Sequence, residues 1–498
     1  MDKPQNASAT FIRLHWRSGS RSPGRNTAHR PAVAVLIAIG GGLFAFLAIR
    51  ILAAASSEPN IRPPTWLWCA PFITLLAAIA WFPWKWPRVW KWIGFPVSAG
   101  LALLVIAAYG MRLHTLSPIA ENISAYVQFM AVIAAFYCVC SNLSITLRCR
   151  PTPANNLLLL LTAAAVANVI GTAGATMLLI GPFLNMNRRQ LSPLHIFFFV
   201  AVVANIGGLL TPLGDPPLMA GYLYGVPFWW MLLHAWPMWC VAMAFLLSMF
   251  YWLQRRNIGD IDVQPSPGPA VVEIENLWLL VPLAFCIAAL FLPAADRVGI
   301  LTAAAVGVAI LYRRTGSTEP GIHDSESLPA IGYGPLREMA SLFLGLFITM
   351  TPVLAMISHL PPAARRIIST PAEYFLTVGT ASSVLDNTPT YIAGLQLKVA
   401  AGGRVESPSR PLVMPSKRVA ALAAHPRSAP YLLAIAMGAV MFGAMTWIGN
   451  GPNLLVEMIA RRQGIEPPSF GGYLFRYSIP ILLPLLAVMA GWLWLLGG

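Results

Sequence analysis

Residues 204–219 read ANIGGLLTPLGDPPLM, an apolar stretch interrupted by three prolines and by one acid, Asp215. Proline has no amide hydrogen, so these prolines free the backbone carbonyls of Gly208, Pro212 and Leu213 from helical hydrogen bonds. Free carbonyls and a carboxylate at membrane depth are stable only where they line a protein cavity or an aqueous site. The stretch predicts a broken membrane helix with a polar site at the break; a simple proline kink with a solvated acid is the alternative.

The same pattern recurs in the second half of the chain. Residues 443–452, GAMTWIGNGP, align without a gap on residues 208–217, GLLTPLGDPP, and Asn450 takes the place of Asp215. Broken segments in corresponding positions of two halves are the best sequence pointer to a transporter binding site near the membrane midplane. We therefore expect the two segments to border one site.

The composition is that of an integral membrane protein. The chain has 498 residues, 57% of them hydrophobic and 10% charged, and apolar runs long enough to span a bilayer recur along it. The net charge of +15 comes from short basic clusters between apolar runs, which is the positive-inside pattern and excludes nucleic acid as the partner. No HExxH, GxSxG or P-loop pattern occurs, so we expect neither an enzyme nor a cofactor.

Residues 155–184 are apolar, yet arginines border them on both sides, up to Arg150 and from Arg188 onward. If both borders are cytoplasmic, the segment crosses an even number of times. Two helices of about 15 residues would each reach about 22 Å, short of the roughly 30 Å hydrocarbon core. The pattern predicts a re-entrant hairpin with its tip at residues 171–176; one long tilted helix is the alternative.

A second hairpin is predicted for residues 371–399, whose polar centre, residues 382–390, reads SSVLDNTPT. Five predicted crossings separate it from the first hairpin, so it enters from the opposite side of the membrane. Pro389 frees the carbonyl of Leu385. The basic loop 399–428 then lies outside, against the positive-inside preference.

The predicted fold is an all-α polytopic membrane protein with about 10–12 transmembrane segments, two re-entrant hairpins and two broken helices in an inverted repeat. Its predicted parts are a basic cytoplasmic tail without regular structure (1–31), a first membrane helix or signal segment (32–56), scaffold helices (57–150), a first transport repeat (151–256), a linker with scaffold helices (257–370), and a second transport repeat with the last helix (371–498).

Asp215 and Asp386 are the acids that lie deep in apolar sequence without a neighbouring base. An ionised Asp at the centre of a membrane helix costs about 2.5–3.5 kcal/mol, so it either binds a cation or takes up a proton. Competition between the two is what a cation:proton exchanger requires. Asp386 has a second interpretation, in which its side chain caps a helix. Neutral oxygens for a hard cation are offered by Thr172, Thr176, Thr211, Thr388, Thr390, Thr446, Asn387 and Asn450, and by the carbonyls of Gly208, Pro212, Leu213 and Leu385.

Four motifs, at residues 171–177, 205–217, 385–390 and 445–453, resemble the bacterial sodium:proton antiporter family with a citrate-transporter-like domain. That family belongs to the ion-transporter superfamily, with arsenite efflux pumps and divalent anion:sodium symporters. The resemblance runs from about Pro63 to the C-terminus. It implies a homodimer in the lipid of the bacterial inner membrane, with a scaffold domain and a transport domain that moves as an elevator.

One departure helps to choose among these relatives. The anion symporters carry Ser-Asn-Thr at both hairpin tips, whereas this chain has DNT at residues 386–388 and TAG at residues 172–174. An added acid and a lost Asn favour exchange of Na⁺ (or Li⁺) for H⁺, with Na⁺ at Asp386 and Asp215. Sodium-coupled symport of citrate or a dicarboxylate, transport of an arsenite-like anion and a non-transporting membrane scaffold remain as alternatives.

Overall fold

The computed structural model describes residues 11–14, 66–257, 271–314, 334–358, 361, 367–401, 416–462 and 464–497. The predicted first membrane helix or signal segment (32–56) and most of the linker that follows residue 257 lie outside the described residues.

Helices make up nearly all of the described part of the chain, as an all-α membrane protein requires. Eight of its helices are long and apolar enough to cross a membrane, and three shorter apolar helices accompany them. Large apolar side chains on the peripheral helices are exposed, among them Trp92 (83%), Leu103 (64%) and Phe285 (63%). Exposed apolar surface of this extent suits a lipid environment rather than water. The prediction of a polytopic membrane protein is confirmed.

Two separate parts of the sequence form a scaffold of helices. Asn122 donates to the Thr351 hydroxyl (2.8 Å) and Tyr126 donates to the carbonyl of Ala340 (2.9 Å), which ties the two parts together. The first part contains a 3-10 turn (Trp66–Cys69), α1 (Ala70–Lys85), α2 (Pro87–Ala108), a π-helical turn (Tyr109–Leu113) and α3 (Ser117–Cys140).

The first hairpin is α4 (Pro153–Met186), which is helical on both sides of Gly171. Gly171 has φ 82° and ψ 154°, a backbone conformation that glycine adopts without strain. A straight helix of this length would hold its ends about 50 Å apart. Instead the Asn156 and Asn187 side chains exchange two hydrogen bonds of 2.7 Å, so the chain reverses at its centre. This confirms the hairpin and excludes the single tilted helix.

The broken helix that follows consists of α5 (Pro193–Val202), a 3-10 turn (Ile206–Leu210) and α6 (Pro216–Leu223). Residues 203–215 are called the first break. Every residue from Leu194 to Val202 is buried, because α5 is apolar all round and protein surrounds it.

Helix α7 (Trp230–Asn257) follows and packs against the first hairpin and the first break. The chain then returns to the scaffold with a 3-10 turn (Leu277–Leu279), α8 (Leu280–Ala289), α9 (Ala294–Arg314), α10 (Gly334–Thr349) and α11 (Thr351–Ser358). Helices α9 and α10 pack against α3.

The second hairpin consists of α12 (Pro371–Val384) and α13 (Asn387–Ala401). A Cβ atom added at Gly394 would lie 2.6 Å from the Val378 side chain, so the two limbs are in direct contact. The Lys398 ammonium lies 5.8 Å from the ring of Tyr374, near the base of the hairpin. The chain turns at Leu385 and Asp386, as predicted.

The second broken helix consists of α15 (Ala429–Gly443) and α16 (Gly451–Arg462), and residues 444–450 are called the second break. A π-helical turn (Gly472–Ser478) leads into the last helix, α17 (Ile479–Gly497). The segment predicted as the loop 399–428 contains a further helix, α14 (Ser416–Ala424).

The base of the second hairpin lies at the same end of the molecule as the C-terminal end of α6 and the N-terminal end of α15. Trp230, just after α6, donates to the carbonyl of Ala423 (2.8 Å), just before α15. Tyr431, at the start of α15, donates to the carbonyl of Ser369 (2.7 Å), just before the hairpin.

The base of the first hairpin lies at the other end. Helix α5 starts at this base and runs to the first break, and α16 leaves the second break and packs against α4 and α5. The two hairpins therefore reach the centre from opposite ends, as an inverted repeat requires.

A small sheet joins three short segments that lie outside the described helices. Its order is β1 (Phe11–Leu14), β3 (Val271–Glu275) and β2 (Ser144–Arg148), with β1 parallel and β2 antiparallel to β3. The prediction of a tail without regular structure is therefore wrong for Phe11–Leu14. Because β2 leads directly into the first hairpin, the sheet lies near the base of that hairpin.

This arrangement predicts the sidedness of two exposed arginines. In a variant without the six native cysteines, Arg189→Cys should react with a membrane-impermeant thiol reagent only from the cytoplasmic side. Arg427→Cys should react only from the other side, because it lies near Ala423 at the opposite end. Labelling of intact cells and of inverted vesicles measures both, and labelling of both positions from one side would contradict the inverted repeat.

Candidate functional site

The two breaks are built in the same way. A Cβ atom at Gly214 would lie 1.8 Å from the carbonyl oxygen of Gly208, and one at Gly449 would lie 2.6 Å from that of Gly443. Such backbone approaches leave no room for a side chain. The ungapped alignment pairs Gly208 with Gly443 and Gly214 with Gly449, so it corresponds to a shared local structure.

A threonine in each break holds the neighbouring hairpin. Thr211 donates its hydroxyl to the carbonyl of Asn168 (2.5 Å), and Thr446 donates to the carbonyl of Ser383 (2.5 Å). Each carbonyl lies two or three residues before the turn of its hairpin. The hydroxyls of Thr211 and Thr446, predicted as cation ligands, are thus engaged in joining breaks to hairpins.

Asp215 lies where the hairpins and the breaks meet. It precedes α6, which begins with two prolines, but its side chain makes no capping bond to that helix. Its Oδ1 accepts the Thr172 hydroxyl (2.8 Å) and the Asn450 amide (3.3 Å), and its Oδ2 accepts the Asn387 amide (2.6 Å). Thr172 comes from the first hairpin tip, Asn387 from the second and Asn450 from the second break.

The environment of Asp215 is buried and lacks a paired cation. The residue is 1% exposed, and Thr172, Asn387 and Asn450 are equally buried. In the described ranges the one ion pair is between Glu457 and Arg461, on the surface, so no basic side chain pairs with Asp215. A buried carboxylate of this kind is stable only when it is well hydrogen-bonded, protonated or bound to a cation.

Asp386 lies next to the site in a different role. Its carboxylate accepts the backbone N–H of Thr388 (3.0 Å) at the start of α13. This is the capping contact of the second interpretation, and Asp386 is only half-buried. The charge of Asp386 still lies one residue from Asn387, which bonds Asp215 directly.

The remaining predicted ligands differ in what their oxygens contact. The Thr388 hydroxyl approaches Oδ1 of Asn387 at 3.5 Å, and Thr390 donates to the carbonyl of Asn387 (2.9 Å). Thr176 is buried, and its hydroxyl has no hydrogen-bond partner among the described residues. The carbonyl of Gly208 packs against Gly214, and that of Leu213 lies close to Gly171. The carbonyls of Pro212 and Leu385 remain predicted cation ligands.

The sequence predicts an oxygen ligand at Asn450, but it is the nitrogen of this amide that faces Asp215. The breaks also contact three buried amides that are not among the predicted site residues, Asn168, Asn205 and Asn453. The sequence signal for them is an uncharged polar residue inside an apolar run, which is costly unless its bonds are satisfied.

Two hairpins, two broken helices and a carboxylate between them define a class of protein, the polytopic membrane transporters with an inverted repeat. The chain belongs to the family described as "Putative citrate transport", whose model matches residues 62–495.

Similar proteins carry names that agree with this class. An uncharacterized transporter of Mycobacterium bovis and one of Mycobacterium tuberculosis are each 27% identical to this chain over 366 residues. A second uncharacterized transporter of M. tuberculosis is 25% identical over 370 residues. Each alignment covers 70% of this chain and 78% of the relative. The protein is an integral membrane transporter.

Adding one methyl group at a break should abolish transport. Gly214→Ala and Gly449→Ala place a Cβ atom against a backbone oxygen, which must displace Asp215 or Asn450. Gly299→Ala in α9 is the matched control, because nothing lies within 4 Å of the added atom. Uptake by purified protein in liposomes measures the effect, and near-normal uptake in both break variants would contradict the close approach.

Proposed function

We propose that this transporter exchanges Na⁺, or Li⁺, for H⁺ at Asp215. The observation that carries the proposal is a single buried carboxylate at the meeting point of both hairpins, without a basic partner in the described part of the chain. Such a group is neutralised either by a proton or by a cation, and the two compete for it. Competition for one carboxylate couples the outward movement of one ion to the inward movement of the other.

The charge of the site favours a monovalent cation over an organic anion. Citrate or a dicarboxylate would need positive side chains or a bound cation to offset its own charge. The groups around Asp215 are neutral, and Asp386 adds a second negative charge nearby. Hydroxyl and amide oxygens are the hard ligands that Na⁺ prefers.

Alternating access would follow from the inverted repeat. The site would open to one side and then to the other as the hairpins and breaks move together against the scaffold, in the elevator manner that the family resemblance implies. Assembly as a homodimer and location in the bacterial inner membrane are parts of the same proposal. The ion is the substrate, and no cofactor takes part.

Sodium-coupled symport of citrate is the second candidate, because the family description names citrate. Purified protein in liposomes with a pH-sensitive dye inside separates the candidates when Na⁺, K⁺, citrate and arsenite are added one at a time. Exchange predicts proton movement on addition of Na⁺ alone. Symport predicts that labelled citrate and ²²Na⁺ enter together, without proton movement driven by Na⁺ alone.

Removing the charge of Asp215 should stop exchange. Asp215→Asn keeps the size of the side chain but can no longer alternate between a proton and a cation. Na⁺-dependent proton movement should fall to the level of empty liposomes. Glu457→Gln, which removes a surface carboxylate, is the matched control and should leave exchange unchanged. Exchange at the normal rate in Asp215→Asn would remove this residue from the mechanism.

Asp386→Asn separates the two roles of that residue. Asparagine caps helices as well as aspartate does, so the start of α13 should be preserved. If the charge of Asp386 assists the cation, the Na⁺ concentration for half-maximal exchange should rise severalfold. An unchanged half-maximal concentration would leave Asp386 with the capping role alone, and Asp386→Ala then measures that role through loss of thermal stability.

A further inference from the structure

Three buried asparagines link the first break to the second. The Asn450 nitrogen lies 3.0 Å from Oδ1 of Asn205, and the Asn205 nitrogen lies 2.7 Å from Oδ1 of Asn453. The Asn453 nitrogen in turn lies 2.8 Å from the carbonyl oxygen of Gly443 and 2.9 Å from that of Thr446. Each asparagine is at most 1% exposed, so water does not compete for these bonds.

The orientation of each amide is fixed by a separate neighbour. A backbone carbonyl can only accept, so the end of the amide that faces it must be the nitrogen. Asn205 faces the carbonyl of Val200 (2.9 Å), and Asn450 faces that of Ala204 (3.1 Å). Asn453 faces two carbonyls. The three assignments agree with one another, because the oxygen of Asn205 then meets the nitrogen of Asn450 and the oxygen of Asn453 meets the nitrogen of Asn205.

The fixed orientation of Asn450 determines which of its atoms faces Asp215. Asn450 can present only its nitrogen to Oδ1, which also accepts the Thr172 hydroxyl. Among the described residues, Oδ2 accepts one bond, from Asn387. Within the described part of the chain, the oxygen of Asn387 has one long contact, of 3.5 Å, with the Thr388 hydroxyl. Neighbours other than Asp215 therefore hold this amide weakly, and it can rotate, whereas Ala204 and Asn205 hold Asn450.

We propose that Asn205 and Asn453 are positioning residues that hold Asn450 as a fixed donor to Oδ1 of Asp215, and that the transported cation binds on the Oδ2 side, between Asp215 and Asn387. The inference rests on the proposed exchange and adds which face of the carboxylate is used. The fixed nitrogen of Asn450 carries partial positive charge and repels a cation on the Oδ1 side of the carboxylate. Asn387 turns its oxygen to the cation when the cation arrives.

Two isosteric changes have opposite expected effects. Asn387→Asp places a negative oxygen on the cation side, so the Na⁺ concentration for half-maximal exchange should fall by about tenfold at alkaline pH. Asn450→Asp places an oxygen against three acceptors, on Asp215, Asn205 and Ala204, so half-maximal exchange should need about tenfold more Na⁺. If the Asn450 oxygen were a cation ligand, both changes would act in the same direction.

Asn205→Ala tests the positioning role. Removal of its oxygen leaves the carbonyl of Ala204 as the one described acceptor besides Asp215 that holds the Asn450 nitrogen, so the half-maximal Na⁺ concentration should rise by about tenfold while the maximal rate stays within about twofold. Asn156→Ala is the matched control, because it also removes a buried amide pair, at the base of the first hairpin, and should leave the half-maximal concentration unchanged.

All variants are assayed in liposomes after size-exclusion chromatography confirms that each is folded. Should Asn450→Asp fail to fold, Asn387→Asp and Asn205→Ala still decide the question. The inference would be overturned if Asn387→Asp needed as much Na⁺ as the unmodified protein, or more, for half-maximal exchange. It would also be overturned if Asn205→Ala and Asn156→Ala changed the half-maximal Na⁺ concentration equally. In either case exchange by the unmodified protein would stand. Absence of Na⁺-dependent proton movement in the unmodified protein would overturn the proposed exchange and this inference with it.

Discussion

The hydrogen bonds to the Asp215 carboxylate are the contacts on which the centre of the molecule depends. A carboxylate at membrane depth costs about 2.5–3.5 kcal/mol, and each bond to a charged group contributes about 1.5–3 kcal/mol. Because the donors Thr172, Asn387 and Asn450 come from three different elements, the carboxylate has all three bonds only when both hairpin tips and both breaks are in place. One charge thereby organises four elements that are distant in sequence.

The two breaks share a backbone but differ in charge. The glycine pair and the threonine of each break make equivalent contacts, so both halves place the residue after the second glycine at the centre. In one half that residue is Asp215 and in the other it is Asn450. Two carboxylates 3.3 Å apart would repel each other, whereas an amide nitrogen at this distance stabilises the charge. The repeat thus provides a symmetric frame around a site with one central acid.

Much of this fold follows from sequence because the decisive signals are local. Prolines and glycines mark the breaks, and arginines at both borders of residues 155–184 indicate a hairpin. The side-chain roles are less predictable. Whether Asp386 caps α13 depends on the backbone, and which end of Asn450 faces Asp215 depends on Val200 and Ala204, which are far from Asn450 in the sequence. Strands of four or five residues outside the helices, and α14 within a basic loop, carry too few alternating or periodic positions to be recognised.

The two oxygens of Asp215 are bonded by different elements, so the site is asymmetric within the inverted repeat. Oδ1 is held by the first hairpin and the second break, whereas Oδ2 is held by the second hairpin tip through one amide. Under the proposed exchange, a cation that approaches Oδ2 would replace one bond and leave two in place, so Asp215 would stay positioned while its partner changes. When the cation leaves, the Asn387 bond would form again and restore the contact between Asp215 and the second hairpin. Exchange of a partner at one oxygen, with the other oxygen fixed, would let a buried carboxylate bind and release an ion without loss of the surrounding structure.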